Sequence, residues 1–374
     1  MKIALVHDYL SQDGGAEKVL DSFRKIWPKA PIFVLFHDKK KIKNFSDSEI
    51  HESFLASLPF SKSKYQWYLP LMPMATEKYN LRDFDIVISS TSAFSKGILT
   101  QPETMHICYC HTPTRYLWTD THEYIADLKY NKFVKSFLPR LIHKLRIWDK
   151  MSIDRVDFFI ANSNTVRDRI EKYYRRESDI IYPPVKTENF YISEKIKDYF
   201  VSGGRLVPYK RFDLLIQAFN RLGLPLKIFG DGPELKKLKK IAKDNIEFLG
   251  KIDDKEKAKL MSEAKAFIHP QVEDLGITPI ESMACGRPVI AFGEGGATET
   301  VIAGKTGEFF YQQNWESLFD KVLNFDDKKY NPQEIRNYAL KFSEEFFKEK
   351  IKKYVEEKFS IFKQKLNQCR MDFR

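Results

Sequence analysis

Two glutamates separated by seven residues, Glu273 and Glu281, occur in the run EDLGITPIE. The run follows AFIHP, typical of a buried strand, and precedes SMACGRP, typical of a helix. The backbone N–H groups of Gly276 and Ile277 would then lie at a helix N-terminus, where unpaired donors and the helix dipole attract phosphate. Carboxylates on both sides can accept hydrogen bonds from two hydroxylated parts of one ligand, as in a nucleotide sugar. Acids that only stabilise a helix N-terminus would show the same spacing, so the pair alone leaves both interpretations open.

A basic loop follows another predicted strand, in the run SGGRLVPYK. Its guanidinium, Arg205, and its ammonium, Lys210, could neutralise the negative charge that develops on a leaving phosphate. Basic residues on a loop are mostly solvated, so the loop by itself also fits a surface without a ligand.

Two further candidates lie in the first half of the chain. Gly14 and Gly15 precede a predicted helix at 16–26, so their amides could approach a phosphate or an acceptor without an intervening side chain. His111 follows the apolar run 105–109 and would stand at the tip of a strand, where ligands of parallel sheets bind. A bare turn and a structural histidine are the alternatives.

The elements that must position these residues form two series. Short apolar runs typical of buried strands alternate with amphipathic helical patterns, which predicts an α/β fold with doubly wound parallel sheets. The first series has runs at 3–6, 32–36, 86–88, 105–109 and 158–161, and the second at 199–202, 226–229, 246–249, 266–269 and 288–292. We expect a first domain at 1–183, a hinge near Pro183 and Pro184, a second domain at 184–343, and a C-terminal helix at 344–374 that packs back towards the first domain.

Composition agrees with this organisation. A chain of 374 residues is long for one core, since domains average about 150 residues, and 43% hydrophobic with 30% charged residues is ordinary for globular proteins. The formal net charge of +11 favours anionic partners such as phosphates, nucleotides or an anionic membrane surface.

Four cysteines are too few and too unevenly spaced for a disulfide framework or a zinc site. The first residues lack the apolar centre of a signal peptide, and no run approaches the roughly 18 apolar residues of a membrane span. We therefore expect a cytoplasmic protein, which would contact the inner face of the cell membrane only from its surface.

Taken together, these stretches resemble a known family. The run Glu273 to Glu281 resembles the glutamate, seven residues, glutamate motif of retaining glycosyltransferases with the GT-B fold, of the group 1, family 4 type. The other matches, in the expected order, are HDYLSQDGGAEKVL, SGGRLVPYKRFDLLIQAF, GDGPELKKL, GRPVIAF and GEGGATETV. The resemblance covers nearly the whole chain, and Leu275 departs from it where the family commonly has phenylalanine.

The resemblance implies two Rossmann-like domains facing a central cleft, the first presenting an acceptor and the second binding a nucleotide-sugar donor. It implies that Glu281 binds the donor ribose and Glu273 the donor sugar, and that Arg205 and Lys210 clamp the diphosphate. The catalytic residues would be Glu273, His111, Arg205 and Lys210, and the substrate-binding residues Gly14, Gly15, Gly276, Ile277 and Glu281.

Bacterial mannosyltransferases of surface-polysaccharide assembly are the members that the chain resembles most. This likeness implies retaining transfer of mannose from GDP-mannose to a glycan or lipid-linked acceptor, with a UDP-hexose as the alternative donor. A nucleotide-sugar epimerase or a phosphorylase of the same fold is a further alternative. A basic nucleic-acid-binding protein is a distant one, because no recognisable module accompanies the charge.

No cofactor and no essential metal are expected. The acidic triplet Asp83-Phe84-Asp85 has the spacing of a metal-binding motif, but it precedes a predicted strand, whereas ligands bind beyond the carboxyl ends of strands. The missing G-x-G-x-x-G fingerprint after the first strand also argues against a nicotinamide dehydrogenase.

A basic amphipathic pattern runs from Lys132 to Lys150 and carries Val134, Phe137, Leu138, Leu141, Leu145 and Trp148 at helical spacing. Such a helix could lie on an anionic membrane, which would suit a lipid-linked acceptor. Packing into the first domain is the alternative, and Pro139 is expected to interrupt the pattern.

Overall fold

The computed structural model describes residues 1–11, 14–42, 44–61, 64–122, 125 and 132–372. The chain forms two compact units. Unit 1 comprises Met1–Pro183 together with Phe347–Arg374, and unit 2 comprises Pro184–Phe346.

Unit 1 is built on a seven-stranded parallel sheet. Its strands are β1 (Ile3–His7), β2 (Ile32–Val34), β3 (Ile50–Glu52), β4 (Ile86–Thr91), β5 (Met105–Cys110), β6 (Phe158–Ala161) and β7 (Ser178–Ile180). Their order is β3-β2-β1-β4-β5-β6-β7. The helices between them are α1 (Gly15–Ile26), α2 (Met72–Glu77), α3 (Arg115–Trp118), α4 (Lys132–Ser152) and α5 (Asn164–Arg169).

Unit 2 repeats this design with a six-stranded parallel sheet. Its strands are β8 (Phe200–Gly203), β9 (Leu226–Phe229), β10 (Ile246–Gly250), β11 (Phe267–His269), β12 (Val289–Phe292) and β13 (Gly307–Phe310), in the order β10-β9-β8-β11-β12-β13. Its helices are α6 (Phe212–Leu222), α7 (Leu235–Ile241), α8 (Asp254–Ser262), α9 (Ile277–Ala284), α10 (Ala297–Thr300), α11 (Trp315–Leu323) and α12 (Pro332–Ala339). The long helix α13 (Glu344–Asp372) follows and ends the described chain.

The predicted α/β class with two parallel sheets is confirmed. Strands β3, β7 and β13 were not predicted, and each lies at the edge of its sheet. An edge strand is covered on fewer sides than a central one, so its sequence need not be a continuous apolar run. The sequences IHE and SDI of β3 and β7 illustrate this, because none of their residues is buried.

Helix α13 packs into the core of unit 1. Phe347, Ile351 and Val355 are buried with residues of α1 and the sheet. The Phe347 ring stacks on Phe23 of α1 with their centroids 5.8 Å apart. The helix therefore packs on the core of unit 1, and it continues to residue 372.

The basic pattern at 132–150 forms the continuous helix α4, so the expected interruption at Pro139 was wrong. Proline removes one backbone donor, but Pro139 is exposed, and water can bond to the carbonyl group left unpaired. Leu141, Leu145 and Trp148 pack against the apolar cluster beneath the loops of unit 1. The packing alternative therefore holds for this face, while membrane contact of the helix stays a prediction, and the side chains of 132–134 lie outside the described part.

Cys108, Cys110 and Cys285 are buried free thiols, and the side chain of Cys369 lies outside the described part. Among the helices that the structure describes, none combines the length and the apolar composition required to cross a bilayer.

Candidate active site

The predicted phosphate-binding loop lies at the carboxyl edge of the unit 2 sheet, between β11 and α9. Gly276 adopts a positive φ of 86°, which an L side chain would rarely accept, and it immediately precedes α9. The loop packs against the turn after β12, where the Gly296 N–H donates to the Glu273 carbonyl oxygen at 2.8 Å. A Cβ on Gly296 would lie 2.1 Å from the Leu275 Cα, so glycine is required for this approach.

Lys210 and Glu273 meet at this edge. Lys210 Nζ lies 2.6 Å from Glu273 Oε1, and their side chains are 13% and 23% exposed. Burial alone would raise the pKa of Glu273, but the Lys210 charge and, less directly, the His269 ring outweigh it, so the pKa lies below its ordinary value. The structure thus holds an ionised carboxylate and an ammonium side by side, each partly open to a ligand.

Arg205 lies on the same loop as Lys210, directly after the glycines that end β8. Its side chain is exposed, and it forms no ion pair with any residue in the described ranges. A guanidinium free to accept a new partner is suited to a phosphate group.

Glu281 is engaged elsewhere. It is 5% exposed on α9, and its Oε1 lies 3.0 Å from Lys257 Nζ of α8. Lys257 also lies 3.1 Å from Asp254. Glu273 therefore forms an ion pair with Lys210, and Glu281 forms one with Lys257. Lys257 was not identified from the sequence. Ile277, the first residue of α9, is half-buried.

His269 is a second residue that sequence reasoning missed. Its ring is 1% exposed, and neither ring nitrogen has a hydrogen-bond partner among the described residues. A Cβ on Gly276 would lie 3.3 Å from His269 Nε2, so the ring lies next to the predicted phosphate-binding loop. Burial lowers the pKa of His269 to about 4, which keeps the ring neutral at pH 7. Its position at the carboxyl end of β11, where ligands of parallel sheets bind, is the sequence feature that could have identified it.

His111 anchors a polar network at the carboxyl edge of the unit 1 sheet. Its Nε2 lies 2.8 Å from Ser90 Oγ, and Ser90 Oγ lies 3.2 Å from His7 Nδ1. His7 Nε2 is 4.0 Å from Glu17 Oε1, and Glu17 Oε2 accepts the Gly14 N–H at 3.0 Å. Two predicted residues, His111 and Gly14, are thus connected through three that were not predicted.

The hydrogen bonds in this network favour one tautomer of His111. His7 Nδ1 is 3.0 Å from the Ser90 carbonyl oxygen, so it donates there. The Ser90 hydroxyl can then donate to His111 Nε2, which leaves an N–H at His111 Nδ1 for a ligand. Burial, with a smaller contribution from His7, lowers the pKa of His111 to about 3, so the ring is neutral.

Asp8 fixes the neighbouring loop. It follows β1, is buried, and accepts the backbone N–H groups of residues 92–95 at 2.7 to 2.9 Å. Burial opposes its ionisation, but these hydrogen bonds and the nearby His7 still lower its pKa.

The helix α1 begins at Gly15, one residue after Gly14, while residues 12 and 13 of the predicted glycine loop lie outside the described part.

The acidic triplet precedes β4, as the sequence indicated. Asp85 Oδ2 accepts the Lys2 backbone N–H at 2.8 Å and lies 3.8 Å from the N-terminal ammonium. Within the part of the chain that the structure describes, no group of three His, Cys, Asp or Glu side chains is arranged to hold a metal ion. The expectation of no essential metal stays a prediction.

Both halves of the chain match known protein families. Residues 14–189 match the family described as Glycosyltransferase Family 4, and residues 185–342 match the family described as Glycosyl transferases group 1. Each half of the chain is thus similar to a glycosyltransferase domain.

Relatives share this character at modest identity. The uncharacterized glycosyltransferase MJ1178 of Methanocaldococcus jannaschii is 29% identical over 212 residues, and the match spans 55% of this chain and 60% of that protein. MJ1069 of the same organism, also an uncharacterized glycosyltransferase, is 24% identical, over 96% of this chain and 97% of that protein. A GDP-mannose-dependent phosphatidylinositol monomannoside mannosyltransferase of Mycolicibacterium smegmatis is 39% identical, over 28% of this chain and 32% of its own length.

Solved structures show the same fold. Sucrose-phosphate synthase of Thermosynechococcus elongatus superposes with a TM-score of 0.74 at 16% identity, covering 96% of this chain and all of that one. The Anabaena protein HepE, solved with UDP, gives 0.70 at 17% identity over the same shares. Together with the two parallel sheets, these likenesses confirm the predicted GT-B fold.

The stability of both domains is expected to fall as the pH drops from about 6.5 to 4. Burial lowers the pKa of His106 and His269 to about 4 and that of His111 to about 3, whereas an unfolded histidine titrates near 6.5. In this window the unfolded chain binds more protons, so each histidine lowers the free energy of unfolding by up to about 1.4 kcal/mol per pH unit. Urea unfolding at pH 7, 6, 5 and 4.5 measures the slope.

Asparagine at position 106 should reduce that slope, and His51→Gln should not, because His51 is 46% exposed. A free energy of unfolding that is constant across the window would contradict the burial assigned to these rings.

Ser90→Ala is expected to abolish the preference of His111 for the Nδ1–H tautomer, because the hydroxyl that donates to Nε2 is lost. Loss of one buried hydrogen bond should also lower the free energy of unfolding by about 1 to 3 kcal/mol. The ¹⁵N chemical shifts of the two His111 ring nitrogens report the tautomer directly.

Ser89→Ala is the matched control. Ser89 is the adjacent residue of β4, and its Oγ lies 2.8 Å from His106 Nε2. It should shift the His106 signals and leave those of His111 in place, and unchanged His111 shifts in Ser90→Ala would refute the tautomer assignment.

Proposed function

We propose that this chain is a retaining hexosyltransferase that moves mannose from GDP-mannose to a glycan or lipid-linked acceptor in cell-surface polysaccharide synthesis. The observation that carries the proposal is the contact between Lys210 and Glu273 at the carboxyl edge of unit 2, on loops that also hold Gly276 and the exposed Arg205. Cationic groups for a diphosphate and a carboxylate for sugar hydroxyls thus stand at one edge.

In this proposal Arg205 and Lys210 bind the donor diphosphate and neutralise its charge as the glycosidic bond breaks. Glu273 accepts hydrogen bonds from hydroxyls of the sugar, and the amides of Gly276 and Ile277 bind phosphate at the start of α9. When the donor binds, the Lys210 ammonium either leaves Glu273 to contact the phosphate or contacts both groups at once. Glu281 binds the ribose hydroxyls, which requires its side chain to leave Lys257 or to use its second oxygen.

The remaining assignments concern unit 1 and the stereochemistry. His111 donates from Nδ1 to a hydroxyl of the transferred sugar, and the amides of Gly14 and Gly15 bind phosphate or the acceptor.

The acceptor oxygen attacks the anomeric carbon from the face of the leaving group, so the new C–O bond keeps the old configuration. The leaving phosphate oxygen takes the acceptor proton, so no side chain is needed as a base. The reaction requires no metal, and a chelator is expected to leave turnover unchanged.

The choice of mannose is supported by relatives that are named mannosyltransferases, among them the mycobacterial protein named as GDP-mannose-dependent. A UDP-hexose is the second candidate, since HepE was solved with UDP and with UDP-glucose. Both donors carry a diphosphate and a hexose, so the groups at the carboxyl edge suit either.

Calorimetric titration of the purified chain with GDP and with UDP tests the donor. We expect GDP to bind at least about tenfold more tightly, a difference of about 1.4 kcal/mol. A donor screen scored by nucleotide release, followed by NMR of the anomeric configuration, tests the transfer. Tighter binding of UDP would replace GDP-mannose by a UDP-hexose, and an inverted product would remove the retaining mechanism.

A further inference from the structure

Exposed apolar side chains are concentrated in one segment of unit 1, residues 54–78, which we name the 54–78 surface. It includes the 3₁₀ turn Tyr65–Leu71 and α2. Its exposed members are Phe54 (36%), Phe60 (65%), Trp67 (54%), Leu71 (38%) and Met74 (43%). Soluble proteins seldom expose a contiguous apolar patch of large side chains unless it binds a partner.

Two lysines contact the aromatic rings of this segment. Lys64 Nζ lies 4.3 Å from the centre of the Trp67 ring and 5.7 Å from that of Phe60. Lys78 Nζ lies 4.9 Å from the centre of the Phe54 ring. The cations and aromatic rings are therefore interleaved, with the apolar faces and the charges at the same surface.

The charge of the 54–78 surface is positive. The segment contains three lysines and a single acid, Glu77. Glu77 Oε1 is already held by Arg155 Nη1 at 2.7 Å and by the Trp148 indole N–H at 2.8 Å. Its charge is thus neutralised within the fold, whereas Lys64 and Lys78 contact aromatic rings and form no ion pair with an acid among the described residues.

The inner side of the segment supports the carboxyl edge that bears His111. Leu55 and Met72 are buried with Phe36, Phe94 and Leu117, which follow β2, β4 and β5. Tyr65 contacts Tyr9, just after β1, with ring centroids 5.4 Å apart. The segment therefore packs directly against the loops where a unit 1 ligand would bind.

We propose that the 54–78 surface docks on the headgroup region of an anionic phospholipid bilayer. Tryptophan and phenylalanine beside lysine match that region, where rings enter the boundary of the acyl chains and ammonium groups pair with lipid phosphates. Docking there holds the carboxyl edge of unit 1 at the membrane, within reach of a lipid-linked acceptor. The inference goes beyond the proposed function, because it requires neither a particular donor nor the transfer reaction.

Co-sedimentation of the purified full chain with vesicles tests it. We expect binding to vesicles of phosphatidylglycerol and phosphatidylcholine, and little binding to phosphatidylcholine alone. The double variant Phe60→Ser/Trp67→Ser and the single variant Lys64→Glu should each reduce partitioning onto the anionic vesicles by about tenfold or more.

Matched controls lie in unit 2. Tyr311 is 75% exposed and Leu323 is 61% exposed, so Tyr311→Ser/Leu323→Ser removes a similar apolar area. Lys236→Glu reverses an exposed charge and matches Lys64→Glu. These variants should bind vesicles like the natural chain, and circular dichroism with urea unfolding shows that every variant is folded.

Three results would overturn the proposal. The first is that Phe60→Ser/Trp67→Ser binds vesicles as well as the natural chain while Ile147→Ser loses binding. That result would assign docking to the outer face of α4, where Ile147 is 48% exposed. The second is equal loss in the unit 2 controls. The third is a dimer in solution that Phe60→Ser/Trp67→Ser dissociates, which would assign the surface to a second copy. Because no donor is present, a failed donor screen leaves this test unaffected.

Discussion

Alanine in place of Lys210 or Glu273 is expected to lower kcat by about 100- to 1,000-fold under saturating donor. Lys210 is assigned to the charge that grows on the leaving diphosphate, and Glu273 to hydroxyls of the sugar as its anomeric carbon becomes positive. The two side chains contact each other at 2.6 Å, so each variant also releases the other from its partner. The double variant should therefore lose less than the product of the two single losses. Initial rates of nucleotide release measure all three.

The ion pair between Lys197 and Glu263 is the matched control. It has the same 2.6 Å separation and lies in the same unit, before β8 and after α8, away from the carboxyl edge. Lys197→Ala and Glu263→Ala should leave kcat within about twofold, since a surface pair contributes little even to stability. Near-normal turnover in folded Lys210→Ala or Glu273→Ala would refute the roles proposed for them.

Methionine at position 96 is expected to destabilise unit 1 by about 3 to 5 kcal/mol. Lys96 and Asp149 are each 1% exposed, and Lys96 Nζ lies 2.5 Å from Asp149 Oδ1. Burial alone would lower the pKa of Lys96, but the Asp149 charge more than offsets it and raises that pKa. Removing the ammonium leaves a buried carboxylate that keeps hydrogen bonds from the Thr114 hydroxyl and the Trp118 indole but has lost its counter-charge. Urea unfolding at pH 7 measures the loss.

The variant Lys96→Met/Asp149→Leu separates charge from packing. With both charges gone, no ion is left buried without a partner, so the double variant should recover a large part of the stability lost in Lys96→Met. If both variants were equally destabilised, the cost would come from packing around α4 and the neighbouring loops, and the ion pair would not be its source.

Only part of the candidate site could be predicted from the sequence. Arg205, Lys210, Glu273 and Gly276 were identified from the sequence because glycines and charged residues followed apolar runs at strand ends. Their neighbours were not identified. Lys257 lies on an ordinary charged helix, and Ser90 is the penultimate residue of β4 in a run of small polar residues, so nothing local distinguishes them from solvated or structural residues. Parallel strands bring residues together across the sheet, and a local pattern does not report which loops become neighbours.

The sequence by itself determined the parallel α/β architecture, since buried central strands must be continuous apolar runs and the helices between them must be amphipathic. It also predicted which loops could bind phosphate, because glycine and a helix N-terminus are local features. Only the tertiary structure decided that Lys210 contacts Glu273, that Lys257 engages Glu281, and that Ser90 connects His7 to His111. Those contacts depend on sheet order and loop packing, which arise from interactions between residues far apart in the chain.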